Sequence, residues 1–297
     1  MPPLQSRDEA ARLLRLATYA STTTALVLMG AKFVTWLITG SVSLLASLID
    51  STMDLFASLI TLFAVRYAIR PADAEHRFGH GKAESLAGLG QATFIFVSGL
   101  FLIYKAVSRL LHPEPLEDTV MGIAVMIFAM VSTLALLAIQ HYVIRRTGST
   151  AIRADALHYK TDLLTNGGVV IALTLYAGLG LDRADPLIAL IIAAYILYSA
   201  WQIADEAVGL LMDRELPESE RSRIALLATQ HPQVRGVHDL RTRQSGCSIF
   251  IQLHLELNGR LSLQEAHRIA DEVRDRIEAT YRNAEVIIHQ DPVEVAD

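Results

Sequence analysis

The chain has 297 residues, of which 52% are hydrophobic and only 19% charged, and its net charge is −5. That balance excludes a disordered protein, argues against an ordinary soluble domain and, with no long basic run, removes nucleic acid as a partner. A lone cysteine, Cys247, excludes an intrachain disulfide and any cysteine-rich zinc module.

The N-terminal MPPLQSRDEAARLLR reads as a short amphipathic lead-in. It lacks the compact apolar core and small-residue cleavage site of a removable signal peptide. A membrane-spanning helix needs about 20 mostly apolar residues. Six segments approach that length: Leu13–Ile38, Ser43–Ile69, Ser85–Leu110, Val120–Ile144, Ala151–Leu179 and Pro186–Leu211. The fifth is interrupted in its first half by Asp155, His158, Lys160 and Asp162. Arg66, Arg70, Arg77 and Lys82 flank the second connection, and Arg145, Arg146 and Arg153 the fourth, whereas the first carries no charge. The positive-inside rule then places both termini and these two connections in the cytoplasm.

Beyond Leu211 the composition shifts, with nearly half of the charged residues in less than a third of the chain. The expected division is a membrane domain over 1–211 and a cytoplasmic domain over 212–297. In the tail, Glu218–Gln230 reads as a short helix behind Pro217. Val237–Arg243 and Ser248–Leu257 alternate as a β-hairpin around QSG. Ser262–Tyr281 has helical spacing, with Ser262 and Glu265 fitting a capping box, and Glu285–His289 resembles a last strand. The fold class is thus a polytopic α-helical membrane protein of six transmembrane helices with a C-terminal cytoplasmic α+β domain of order α-β-β-α-β.

Three groups of residues carry chemistry. In SLIDSTMDLFAS (47–58), Asp50 and Asp54 lie four apart, on one helix face. An aspartate at a bilayer centre costs about 2.5–3.5 kcal/mol, so something must compensate. In ADALHYKTDLL (154–164), His158 and Asp162 repeat the spacing. If the two faces meet, three carboxylates and an imidazole converge, and a divalent cation removes their mutual repulsion. Four O/N ligands suit tetrahedral Zn²⁺. A structural reading, with these groups paired to Lys32 or Lys160, fits one such aspartate better than two i,i+4 pairs. Lys32 reads as a structural or snorkelling lysine.

The second connection, PADAEHRFGHGKAE (71–84), gathers Asp73, His76 and His80 in a glycine-bearing loop, as an exposed second site or as a solvated loop without function. Half of the ten histidines lie in the tail: His231, His238, His254, His267 and His289. Pairing of the strands can bring His238, His254 and His289 together beside Asp291. His231, before Pro232, reads as structural, and Cys247 as incidental at the hairpin tip.

With HRFGHGKAE, the HxxxD pair of the fifth helix, VHDLRTRQSG, IQLHLEL and VIIHQDP in place, the chain resembles the cation diffusion facilitator family over nearly its full length. The resemblance is to its bacterial zinc and iron exporters. It implies a homodimer in the bacterial inner membrane, with a metallochaperone-like tail and divalent metal ions and protons as substrates. By position, Asp50, Asp54, His158 and Asp162 become the transport site and Asp73, His76 and His80 the loop site. His238, His254, His267, His289 and Asp291 become a zinc cluster joining two tails, and Lys82 and Asp213 a salt-bridge interlock between membrane and tail. Zn²⁺ is then both cargo and structural ion. Iron, cadmium and manganese carriers also belong to the family. A membrane-bound metal sensor that does not transport needs ligands only in the tail, which the intramembrane pairs oppose. An intramembrane metallohydrolase needs an HExxH-type arrangement, and none occurs, so no enzyme is expected.

Overall fold

The computed structural model describes residues 7–40, 42–111, 120–179, 184–281 and 283–294. Its first elements are helices α1 (Arg7–Thr39), α2 (Val42–Ala68), α3 (Lys82–Leu111), α4 (Val120–Thr147), α5 (Thr150–Leu179) and α6 (Ala184–Leu211). Among the described residues five of these, all but α5, contain windows long and apolar enough to cross a membrane. Leu37, Phe63, Phe101 and Ile191 are exposed on their outer faces, as a lipid-facing surface requires. The polar first half of α5 is instead enclosed by protein: Ile152, Ala154, Asp155, Leu157 and Tyr159 are all buried. One apolar cluster ties α5 to α1, α2 and α4 through Leu14, Val65, Val143 and Ile152. Another ties it to α3 and α6 through Ile95, Leu157, Ile196 and Ile203. Asp155 and His158 of this helix therefore face protein rather than hydrocarbon, whereas Lys160 is exposed.

The tail follows as α7 (Glu218–Thr229), β1 (Gly236–Ser245), β2 (Ser248–Asn258), α8 (Leu263–Thr280) and β3 (Ala284–Val293), the expected order. The sheet runs β1-β2-β3, with β1 antiparallel and β3 parallel to β2. A parallel pair needs a crossover, which α8 supplies. Its apolar stripe, Ile269, Val273 and Ile277, packs on Ile251, Leu253 and Leu255 of β2. Ser262 caps α8, its Oγ accepting from the Glu265 N–H at 3.2 Å. The hairpin differs from expectation. Ser245 pairs with Ser248, so the turn is the two residues Gly246–Cys247, with Gly246 at φ +57°. β3 runs on past His289 to Val293, because an edge strand tolerates Pro292.

The hairpin tip docks on the bundle. Cys247 packs against the cluster of α1, α2, α4 and α5, beside Leu13, Ile69 and Ile144, so it is a packing residue rather than an incidental one. Gly81 sits so close that a Cβ there would fall 2.4 Å from the Ser245 carbonyl oxygen. Lys82 bonds Asp213 at 3.0 Å and donates to the Leu211 carbonyl at 3.1 Å. Arg243 reaches Asp213 at 3.4 Å, and its guanidinium lies over the rings of Phe78 and Phe250, at 4.7 and 4.4 Å. Partial burial opposes ionisation of Asp213, but Lys82 and Arg243 outweigh it and hold the carboxyl below the usual range. Gly81→Ala is therefore expected to force the tip off the loop. Overpacking of this kind costs about 1–3 kcal/mol, read as a lower melting temperature and faster proteolysis between α6 and α7.

Candidate metal centres

The i,i+4 spacing on α2 and α5 places the predicted groups on facing surfaces. His158 Nε2 lies 2.9 Å from Asp54 Oδ1 and 3.9 Å from Asp162 Oδ2. Asp54, His158 and Asp162 each offer a ligand atom within 4.8 Å of the others. His158 is buried, with its ring 5.6 Å from that of Tyr159 and 6.2 Å from Phe94. Asp50 is not brought into this group. It is exposed one turn away and interacts with the charges of Asp54 and Lys32. Lys32 donates to Ser51 Oγ at 2.6 Å and to the Ser47 carbonyl at 3.3 Å, the structural role expected of it.

A turn below His158 on α5 lies a residue that sequence reasoning passed over as a mere interruption. Asp155 is fully buried and accepts from Gln91 Nε2 of α3 at 3.2 Å and Gln140 Nε2 of α4 at 2.7 Å. Beside it, Ser21, Ser58 and Tyr159 join α1, α2 and α5 through contacts of 2.9–3.0 Å between their hydroxyls. The available signal was a glutamine in each of two apolar runs. Asp155→Ala strips both amides of their acceptor, and an unsatisfied buried donor costs about 1–3 kcal/mol. The expected result is a marked loss of thermal stability in detergent, while the tail keeps its metal binding. Glu84 was also missed. Its buried carboxylate accepts from Ser149 and from the N–H groups of Thr150 and Ala151, capping α5.

In the loop, Asp73 Oδ1 is 3.4 Å from His76 Nδ1 and Asp73 Oδ2 is 3.3 Å from His80 Nε2. The Asp73 carboxyl is held low, chiefly by the His76 backbone N–H; desolvation opposes this, and the Glu75 N–H and the two imidazoles tip the balance downward. The site is only partly exposed. The His80 side chain is 3% accessible, and its Nδ1 has no hydrogen-bond partner.

In the tail, strand register does the assembly: His238 stands opposite His254, and His254 beside His289. Successive rings are 5.1 and 4.6 Å apart. Asp291, two residues beyond His289 and on the same face, touches all three imidazoles, at 3.1, 2.8 and 3.2 Å. Its carboxyl is held below the usual range, by the His254 hydrogen bond first and by the charges of all three histidines. His267 stands apart on α8, 3.5 Å from Asp271. His231 is buried and structural, 3.0 Å from Glu272.

Tetrahedral ligands about 2.0 Å from a zinc ion stand about 3.3 Å from one another. All three clusters have spacings around that figure and donor sets of imidazole and carboxylate, so each fits a divalent cation. Candidate cation sites in a bundle of six helices and in a small sheet domain are what a polytopic membrane protein that handles cations would carry. The chain matches the cation efflux transmembrane domain over residues 18–212 and the cytoplasmic domain of cation efflux proteins over 216–293. It belongs to the cation efflux family, and is a membrane transporter of cations rather than an enzyme. It is 52% identical over 285 residues to the cation-efflux pump FieF of Yersinia enterocolitica, covering 96% of this chain and 95% of that protein. The FieF pump of Klebsiella pneumoniae subsp. pneumoniae is 50% identical over 284 residues (96% and 94% covered). That of Shewanella oneidensis is 50% identical over 282 residues (95% of each).

Proposed function

We propose that the chain exports divalent metal, Zn²⁺ first among the candidates, from the cytoplasm across the bacterial inner membrane in exchange for protons. The observation that carries this reading is the Asp54–His158–Asp162 group, a buried imidazole between two half-buried carboxylates with three ligand atoms within 4.8 Å on two membrane helices. Asp50, one turn from Asp54, completes the ligand set when the helices shift. The donor set alone ranks several divalent ions close together. Zinc suits the tetrahedral spacing and the mixture of nitrogen and oxygen.

Coupling follows from ligand chemistry. A metal needs the imidazole neutral and the carboxylates ionised, so binding releases protons. Protons arriving from the far side displace the ion, and alternating exposure of one site to the two faces gives antiport. Both termini, the loop site and the tail lie in the cytoplasm, with the membrane domain ending near Leu211. The tail cluster of His238, His254, His289 and Asp291 holds structural zinc and steadies a homodimer, and His267 serves as a ligand across the dimer. Lys82 and Asp213 transmit the state of the tail to the helices.

The test is zinc flux into proteoliposomes as a function of pH. In His158→Ala the residual flux is expected to lose most of its pH dependence, because the group with an ordinary pKa of about 6.5 is gone. A wild-type pH profile in that variant overturns the coupling.

A further inference from the structure

Where the tail meets the bundle there is a cavity of about 290 Å³ that none of the metal centres uses. Its rim carries Arg145 and Arg146 at the end of α4, Arg153 on α5 and Arg223 on α7. Arg153 is taken up by Glu206, and the nearby Glu220 accepts from the Tyr281 hydroxyl at 2.7 Å. Arg145, Arg146 and Arg223 are exposed, and no carboxylate among the described residues forms an ion pair with them. The floor is apolar, from Ile144, Leu210, Leu216 and Ile249.

A second cavity, of about 640 Å³, runs on from the first between α4, α5 and α6. The two share Ile144, Arg153 and Glu206. Leu137, Leu157, Leu164 and Ile203 line the second, which lies along the membrane spans, together with His141, Gln202 and Lys160, whose Nζ donates to the Tyr195 hydroxyl. A chamber lined by four arginines and two glutamates thus adjoins, across the Arg153–Glu206 pair, a groove between α4, α5 and α6 whose surface is mostly apolar.

We propose that this continuous pair of cavities binds an anionic phospholipid of the cytoplasmic leaflet. The headgroup phosphate sits among Arg145, Arg146 and Arg223, where planar guanidinium groups can each give two hydrogen bonds to its oxygens. One acyl chain lies in the groove between α4, α5 and α6. Charge complementarity selects an anionic headgroup over a zwitterionic one, and the groove selects a lipid over a free phosphate. Because Arg146 belongs to the bundle and Arg223 to the tail, the lipid bridges the two and holds their docking.

Native mass spectrometry of the delipidated full-length protein tests this. It is titrated with phosphatidylglycerol, with phosphatidylcholine of the same chains, or with glycerol 3-phosphate. Phosphatidylglycerol is expected to bind more tightly than phosphatidylcholine. In Arg146→Gln/Arg223→Gln its affinity is expected to fall on the order of tenfold or more. Arg223→Gln alone, a change to an exposed tail residue, is expected to shift it in the same direction. The control Arg70→Gln/Arg77→Gln removes equal charge from the same membrane face and is expected to leave binding intact. Equal binding of the two lipids overturns the proposal, and so does unchanged affinity in the double variant. Equal loss in the control, or displacement of the lipid by equimolar glycerol 3-phosphate, does so too.

Discussion

Asp54→Ala is expected to lower zinc affinity at the intramembrane site about 100-fold or more, since even outer-shell changes at metal sites cost 10–100-fold. Asp54 holds the shortest contact to His158, at 2.9 Å, and is the residue of α2 that offers a ligand atom to the proposed site. Without it, His158 and Asp162 remain as an i,i+4 pair on one helix, 3.9 Å apart, and two ligands do not close a tetrahedral shell. Alanine also leaves His158 without its strongest acceptor in the bundle, so the imidazole loses its fixed orientation. Calorimetric titration in detergent reads the effect most cleanly with the tail site silenced by a second substitution. Full-strength binding at the remaining site removes Asp54 from the ligand set.

Asp291→Ala is expected to empty the tail cluster and leave the membrane site occupied. One carboxylate contacts three imidazoles within 3.2 Å, so its loss removes both a ligand and the charge that offsets the metal's. The sheet should survive. Asp291 lies on the edge strand and is partly exposed, while the core of Ile251, Leu253, Leu255 and Ile277 is untouched. Zinc stoichiometry per chain is expected to fall while the melting curve of the metal-free protein stays near wild type. If the tail cluster steadies a dimer, the apparent dimer dissociation constant rises in zinc. Wild-type stoichiometry is the result that contradicts this assignment.

The helices and the candidate ligand residues were legible because both follow local rules. Apolar runs near 20 residues mark the spans, and i,i+4 spacing puts Asp54 on one helix face and His158 with Asp162 on another. What was not legible depends on which helices become neighbours. Asp155 reads in sequence as a flaw in an apolar segment, and only the packing of α3 and α4 on α5 supplies Gln91 and Gln140 to it. Asp50 and Asp54 share a face in sequence, yet a helix rises about 6 Å over four residues, so both cannot reach His158 without movement. The row of three histidines needed a strand register, which hydrophobic alternation fixes only by face. The docking of Cys247, and the placement of Arg243 over the rings of Phe78 and Phe250, needed the tail's position on the bundle, which no local pattern encodes.

The most direct test of the central claim is zinc uptake into sealed proteoliposomes under an imposed pH gradient, comparing wild type with Asp54→Ala at matched reconstitution. Gradient-dependent uptake in the wild type that falls to the level of empty vesicles in the variant is the predicted result. Uptake that survives the substitution means that the ion crosses by another route and that the Asp54–His158–Asp162 group is structural.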